Sequence, residues 1–408
     1  MDYVGSLAAA ALDAGLGLRE GDLLRIKGEP PHREFMLAAA REAYRRGARY
    51  VRVDYDDKRL SRARIDHSRA EHLGAVPRAV EADFLALRDE GWLYLVAQGP
   101  EDPAALDGAE PARVYAADKA LSAAAAPYKK ALMANAQPWC VVPCPTDSWA
   151  RSALADPAAR AEDLWLALAP ILRLDRADPA LALRRDSSAL AARVRALQSL
   201  GLAELRFRGG GTDLRVPLSP RALWRGGGSV SNAGREFIPN IPTEEMFTTP
   251  DARRTEGRAA FTRPVEIMGV QVVGGWLEFR SGGVVACGAS RNAAALEGFL
   301  DTDSGARSLG EVALVDSSSP VWRSRIVFGS VLLDENAACH IALGGAYPDA
   351  FEGYDALNDI DRAALGFNES VVHLDCMIGS EEVEVTGLDR AGREVPIISG
   401  GAFRIRES

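Results

Sequence analysis

The chain has 408 residues, of which 47% are hydrophobic and 26% are charged, and its formal net charge is −9. This composition is that of a globular protein with a substantial core, and the length predicts two domains. A net negative charge, with no cluster of Lys and Arg interleaved with aromatic residues, argues against nucleic acid as a partner.

The sequence also bears on location. Residues 1–15 lack the basic start and apolar core of a secretion signal, and the longest apolar runs fall short of the roughly 18 residues that span a membrane. The five cysteines are odd in number and scattered, which is typical of a reducing compartment. We therefore expect a cytoplasmic protein that does not contact the membrane.

Helical and strand patterns alternate through residues 1–200, which predicts an α/β domain with a doubly wound, mostly parallel sheet. Within it, Asp156 and Pro157 predict the start of a helix. No glycine-rich nucleotide fingerprint follows a predicted strand, so no nucleotide cofactor is expected. The predicted helices cover residues 3–16, 33–46, 77–90, 114–134, 157–169 and 187–200, and the predicted strands cover 22–27, 50–55, 92–97 and 139–143.

The pattern changes after residue 200. Short β-type runs alternate with glycine clusters such as Gly209 to Gly211 and Gly226 to Gly228. Residues 201–408 are therefore predicted to form an α+β domain with mostly antiparallel strands. Every candidate metal ligand lies in this half, so the catalytic site is expected there.

His373 and Asp375 lie in a predicted strand near the end of the chain. Residues two apart on a strand project from the same face, so the imidazole and the carboxylate would stand side by side. The pair forms half of a metal site, although a His-x-Asp on a strand is also an ordinary polar pair. His340 is the other histidine of the second half, and a satisfied core histidine is its alternative interpretation.

Two carboxylate segments precede these histidines. Glu244 and Glu245 lie between Pro239 and Pro250 in a stretch with three prolines, which predicts a stiff loop. The alternative is that Thr243 caps a short helix. Glu311 interrupts an apolar strand, where an acid is costly to bury unless it is paired or bound to a metal. Its alternative is an outward-facing position on a half-exposed strand.

The five residues together form one plausible ligand set. Three carboxylates and two imidazoles suit two divalent ions such as Zn²⁺, Mn²⁺ or Co²⁺. The set consists of Glu245, Glu311, His340, His373 and Asp375.

Four segments carry a resemblance to a known family. Residues 240–248, 309–314, 334–340 and 368–380 resemble, in order and in spacing, the signature segments of the aminopeptidase T family, which includes aminopeptidase S and PepS. The resemblance implies a thermophilic-type metalloaminopeptidase with a dinuclear site, acting on short peptides as a homodimer. It also implies that the five residues above are the ligands and that Tyr347 lies near the scissile carbonyl.

Roles and alternatives follow from this resemblance. Tyr347 is expected to stabilise the oxyanion, and Glu244 is a candidate proton carrier. A different enzyme class, a ring-cleaving dioxygenase with one Fe(II), would use only His340, His373 and Asp375. A third possibility is a binding protein that has kept the fold and lost activity.

Overall fold

The computed structural model describes residues 2–267 and 270–405. The chain divides into two compact units. The N-terminal unit comprises Met1–Arg185 and Gly228–Pro242, and the C-terminal unit comprises Asp186–Gly227 and Thr243–Ser408. The segment 228–242 therefore belongs with the N-terminal unit, although it follows the first strands of the other unit in sequence.

The N-terminal unit contains a four-stranded parallel sheet in the order β2-β1-β3-β4, flanked by helices. This confirms the predicted α/β class. Its helices are α1 Tyr3–Ala10, α2 Arg33–Arg45, α3 Lys58–His67, α4 Ala70–Leu73, α5 Arg78–Asp89, α6 Pro111–Met133, α7 Asp147–Ala153, α8 Ala161–Ile171 and the start of α9 Pro179–Ser199. The strands of the sheet are β1 Leu23–Gly28, β2 Tyr50–Tyr55, β3 Leu93–Gln98 and β4 Trp139–Pro143.

The central strands show why this sheet forms. Leu24 and Ile26 of β1 and Leu95 of β3 are fully buried. Leu24 and Ile26 lie two apart and share one face, and buried and half-buried residues alternate along β3, so the core packs on one face and the other face is partly covered. Arg25 is the polar exception, and its guanidinium forms an ion pair with Asp54 of β2 at 2.7 Å.

One predicted helix start is wrong. The helix expected from Pro157 begins at Ala161, because Asp156 closes a turn instead of capping a helix. Its carboxylate accepts the Ala158 N–H at 2.9 Å, while Asp163 accepts the Arg160 N–H at 2.9 Å and so fixes the first helical turn. Helices α3, α4 and α7 were not predicted, and the helix expected at 187–200 already begins at Pro179.

The C-terminal unit is mostly antiparallel, as predicted. Its eight-stranded sheet has the order β15-β14-β11-β6-β5-β19-β20-β21, and its five-stranded sheet has the order β18-β17-β16-β10-β7. The strands of these two sheets are β5 Leu202–Gly209, β6 Thr212–Pro217, β7 Arg225–Gly226, β10 Met246–Thr248, β11 Glu256–Ala260, β14 Trp276–Arg280, β15 Gly283–Gly288, β16 Leu309–Leu314, β17 His340–Gly344, β18 His373–Met377, β19 Glu384–Asp389, β20 Glu394–Ser399 and β21 Ala402–Phe403.

Two small hairpins and four helices complete the described elements. The hairpins pair β8 Ser229–Val230 with β9 Glu236–Phe237 in the N-terminal unit, and β12 Val265–Ile267 with β13 Val270–Val272 in the C-terminal unit. The helices of the C-terminal unit are α10 Ala293–Leu300, α11 Pro320–Ser324, α12 Val331–Asp334 and α13 Asp359–Ala364. Across residues 2–267 and 270–405, no helix has the length and apolar character needed to cross a membrane.

Candidate metal centre

The five predicted ligands lie on or beside neighbouring strands of the five-stranded sheet. His373 and Asp375 belong to β18, His340 begins β17, Glu311 lies in β16, and Glu245 directly precedes β10. These strands are adjacent in the sheet, although their sequence separation reaches 130 residues between Glu245 and Asp375. Tertiary pairing therefore brings all five together.

The register places four of them on one face. Ala342 of β17 pairs with Glu311 on one side and with Asp375 on the other, so these three form one row across the sheet. His340 is two residues from Ala342, and His373 is two residues from Asp375, which puts both imidazoles on the same face.

Glu311 lies between the two imidazoles. Its Oε1 is 3.5 Å from Nε2 of His340, and its Oε2 is 3.6 Å from Nε2 of His373. Nε2 of His340 is also 3.1 Å from Glu245, and Nε2 of His373 is 3.3 Å from Asp375. Two triplets of possible ligands result, Glu245 with Glu311 and His340, and Glu311 with His373 and Asp375.

Backbone carbonyls orient both imidazoles. Nδ1 of His340 lies 3.1 Å from the Ala338 carbonyl, and Nδ1 of His373 lies 2.8 Å from that of Gly345. A carbonyl oxygen only accepts, so Nδ1 carries a proton in each ring and Nε2 is turned towards the carboxylates. Metal-bound histidines are typically held in this way.

The cluster is short of positive charge. Oε2 of Glu245 is buried and has no hydrogen-bond partner among the described residues, although it faces Nε2 of His340. Burial alone would lower the pKa of His340, but Glu245 and Glu311 raise it well above its usual value. Burial raises the pKa of Glu311 to about 7. A divalent cation fits this donor set, because its positive charge would balance the carboxylates that converge here.

Tyr347 lies beside the cluster. Its ring centroid is 5.0 Å from that of His373 and 5.5 Å from that of Phe247. Burial, together with the negative charges of Glu311 and Asp375, raises the pKa of Tyr347 well above its usual value. The phenol therefore keeps its proton at neutral pH and can donate a hydrogen bond.

Glu335 is an acidic neighbour that the sequence analysis did not single out as a ligand. Burial raises its pKa well above the usual value, and the charges of Glu245 and Asp375 add to that effect. It lies in a single 3-10 turn, Glu335–Ala337, which Ala338 and Cys339 separate from β17. The available signal was the pair of acids, Asp334 and Glu335, after the apolar residues 331–333, but proximity to the ligands was not visible in the sequence.

Glu244 is placed differently. Its backbone N–H donates to Oδ1 of Asn336 at 2.6 Å, and neither ligand triplet includes its carboxylate. The alternative of a short helix at Thr243 is wrong, because residues 243–245 are irregular and lead into β10. The outward-facing alternative for Glu311 is also wrong, since its side chain is 4% exposed.

Buried acids and imidazoles that converge from four chain segments on one sheet face are typical of hydrolases that use metal ions. The fold and the site therefore indicate the class, a metal-dependent hydrolase.

Residues 2–403 match the model of the thermophilic metalloprotease (M29) family, and the chain belongs to that family. Aminopeptidase T of Thermus aquaticus is 38% identical over 406 residues, with 99% of each chain covered. The solved structure of wild-type AmpT from Thermus thermophilus is 35% identical, with a TM-score of 0.91 and 99% of each chain covered. The predicted family is thus confirmed, and the chain is a metalloaminopeptidase, a hydrolase of peptide bonds.

A more distant likeness is to the structure of a 2,5-dihydroxypyridine dioxygenase from Pseudomonas putida. It covers 99% of this chain and 97% of that one with a TM-score of 0.56, but the identity is 12%. At that identity the likeness concerns the fold alone.

Proposed function

We propose that the protein is a dinuclear metalloaminopeptidase that removes the N-terminal residue from short peptides. Glu245, Glu311 and His340 would hold one ion, and Glu311, His373 and Asp375 would hold the other. The observation that carries the proposal is the position of Glu311, whose two carboxylate oxygens each face a different imidazole. A carboxylate in that position can bridge two cations.

Two divalent ions, Zn²⁺, Co²⁺ or Mn²⁺, would polarise the peptide carbonyl and lower the pKa of water towards about 7. The chain's own part is to hold the ligands in place before substrate arrives. The register of β16, β17 and β18 does this, because backbone hydrogen bonds fix the spacing of the donors. Such preorganisation avoids rearrangement during the reaction.

Tyr347 would donate its hydroxyl proton in a hydrogen bond to the carbonyl oxygen as negative charge develops there. Two features support this role. Its raised pKa keeps the donor protonated at neutral pH, and its contacts with Phe247 and His373 orient the ring. A preorganised donor of this kind lowers the barrier, since it binds the transition state more tightly than the substrate.

Glu335 is proposed as a further acidic residue of the centre, either as a ligand or as the group that moves the proton from water to the leaving amine. Its raised pKa and its electrostatic coupling to Glu245 and Asp375 support a position at the cluster. The role of Glu244 as proton carrier stays a prediction. Both acids are half-buried, so burial does not separate them.

Selectivity for a free N-terminus follows from charge. Four carboxylates and two imidazoles make an environment that attracts a positively charged α-amine as well as metal ions. An internal peptide bond offers no such charge near its carbonyl. The enzyme would therefore act as an exopeptidase.

The proposal includes a cytoplasmic homodimer. All five cysteines are free thiols, which supports a reducing compartment. The dimer rests on the family resemblance and is tested by sedimentation velocity.

The iron dioxygenase alternative has support from the likeness in fold alone, whereas the family match covers nearly the whole chain.

The test is cleavage of aminoacyl-p-nitroanilides by metal-stripped protein, with and without added Co²⁺, Zn²⁺ or Mn²⁺. We expect metal-restored cleavage by the wild type and by Glu297→Ala, an exposed control, but none by Glu311→Ala. Metal analysis accompanies the assay. One iron per chain and no cleavage would support the dioxygenase, and neither metal nor cleavage would support the binding protein.

A further inference from the structure

Asn368 is a buried side chain outside the ligand set, and its side-chain amide contacts three backbone carbonyls. Nδ2 lies 2.9 Å from the carbonyl of Gly305, 3.0 Å from that of Ser308 and 2.7 Å from that of Gly344. We call these the three-carbonyl cluster. An amide nitrogen carries two hydrogens, so they are shared among three acceptors. The reversed amide would set an oxygen against three oxygens, which fixes the orientation.

Each of the segments that meet at Asn368 leads to a residue of the metal centre. Ser308 directly precedes β16, which carries Glu311. Gly344 ends β17 and precedes Gly345, whose carbonyl orients the His373 ring at 2.8 Å.

The backbone of Asn368 adds a further link, because its own carbonyl accepts the Ala346 N–H at 2.9 Å. Ala346 is the residue before Tyr347. Asn368 itself lies five residues before His373 in the chain. One residue therefore links the segments that lead to Glu311, to Tyr347 and to His373, the first and third through its side chain and the second through its backbone.

The segments approach too closely for ordinary side chains. A Cβ added to Gly305 would lie 2.4 Å from the Glu369 carbonyl oxygen, and one added to Gly344 would lie 2.0 Å from that of Val372. Gly344 also has a φ of +100°, which L side chains rarely adopt. Glycine at these two positions allows the backbone segments to come close enough for their carbonyls to bond to one side-chain amide.

Asp303 holds the same segment from the other side. Its carboxylate accepts hydrogen bonds from the Ser370 hydroxyl at 2.9 Å and from the Val371 N–H at 2.8 Å. It also accepts the N–H groups of Gly305 and Ala306 at 2.8 and 2.9 Å. Hydrogen bonds of the Asp303 and Asn368 side chains therefore connect the turn before β16 to the segment before β18.

We infer that Asn368 is a positioning residue that, through the three-carbonyl cluster, holds the Gly345 carbonyl against His373 and thereby sets the affinity for the ion at Glu311, His373 and Asp375. The inference rests on the proposed two-ion site. Glu245 and His340 depend on other contacts, since Nδ1 of His340 is oriented by Ala338. Glu311 would be shared by both ions, whereas the Gly345 carbonyl orients His373 alone. Loss of Asn368 should therefore weaken the ion at His373 much more than the ion at His340.

The experiment is calorimetric titration of the metal-free protein with Co²⁺, followed also by the visible absorption of bound cobalt. We expect two equivalents in the wild type. In Asn368→Ala, one equivalent should weaken by about 10- to 100-fold and the other by much less, with a changed cobalt spectrum. Asn358→Ala is the matched control, because Asn358 caps the exposed helix α13 and should leave both equivalents unchanged.

A second measurement uses the metal-free protein alone. With ¹⁵N-labelled histidine, the signals of the five imidazoles report whether each ring N–H is held in a hydrogen bond. The Nδ1–H signal of His373, which is bonded to the Gly345 carbonyl, should shift or broaden in Asn368→Ala and stay unchanged in Asn358→Ala. If Asn368→Ala does not fold, Asp303→Ala is the second variant, and we expect the same selective change with a smaller magnitude.

The outcomes separate the two proposals. Two equivalents in the wild type and an unchanged titration in Asn368→Ala would overturn the inference and leave the two-ion proposal standing. Equal weakening of both ions would also overturn it, since that would indicate general loosening of the sheet. One equivalent in the wild type would overturn the two-ion proposal, and the inference in its stated form with it.

Discussion

Two buried polar sites, one in each unit, differ in whether the protein itself balances their charge. In the parallel sheet, Arg25 pairs with Asp54 at 2.7 Å and its guanidinium lies 5.0 Å from the Tyr94 ring centroid. In the five-stranded sheet, Glu311 has further acids around it, and its nearest imidazole nitrogen, that of His340, also faces Glu245. The first site is complete within the protein, whereas the second lacks positive charge. Charge balance therefore separates a structural polar site from a functional one.

The largest expected effect is at Glu311. Glu311→Gln removes the carboxylate that we propose bridges two ions. We therefore expect metal affinity to fall by more than the roughly 100-fold that a change outside the ligand set costs, and cleavage to disappear. The unfolding free energy of the metal-free protein should not fall at pH 8, because an acid with a raised pKa is removed. Calorimetry and urea unfolding measure both.

Glu297→Gln is the exposed control, and it should change neither quantity. A clear loss of metal-free stability in Glu311→Gln would show that the acid is balanced by the protein itself. That result would remove the contrast between the two sites.

The matching change in the other unit is Arg25→Met. It leaves Asp54 with one partner, since Arg52 also binds that carboxylate at 2.8 Å. Breaking a buried pair is strongly destabilising. Because Arg52 still pairs with Asp54, we expect the free energy of unfolding in urea to fall by about 3 kcal/mol, the lower end of the usual range. Arg88→Met, which removes a surface pair with Asp89, should have a far smaller effect. Equal effects of the two changes would contradict the idea that Arg25 balances a buried charge.

The two units also differ in the direction in which they shift the pKa of a buried histidine. Burial lowers the pKa of His32 in the N-terminal unit to about 4, whereas neighbouring acids raise that of His340. An unfolded histidine titrates near about 6.5. Between those values the unfolded chain binds a proton that folded His32 does not, so stability falls as the pH drops from about 6.5 to about 4, by up to about 3 kcal/mol.

His32→Gln should lose this part of the pH dependence in urea unfolding at a series of pH values. His67→Gln is the control, because that ring is exposed. Parallel pH profiles for wild type and His32→Gln would contradict the prediction.

The smallest expected effect is at Tyr347. Tyr347→Phe removes a hydrogen-bond donor and keeps the ring packed on Phe247 and His373, so kcat should fall by about 100-fold while metal affinity is unchanged. Tyr354→Phe is the control, since its hydroxyl faces Glu369 at 3.5 Å. A loss of metal affinity in Tyr347→Phe would instead indicate that the hydroxyl orients the ligands.

Much of the C-terminal unit could be predicted from local patterns. Alternation along a strand is a two-residue property, so His373 and Asp375 were correctly placed in one strand, which the structure has as β18. The start of α8 was wrong because Asp156 serves equally well in a turn and in a cap, and the choice depends on Asp163 further along the chain.

Composition, periodicity and four short segments were enough to predict the family, the two classes of sheet and the types of candidate ligand. The tertiary structure decided which groups face each other. The position of Glu311 between two imidazoles and the contacts of Asn368 depend on pairing between strands far apart in sequence. No local pattern contains this pairing. The sequence fixes which side chains each strand carries, and the register fixes which side chains of the neighbouring strands they face.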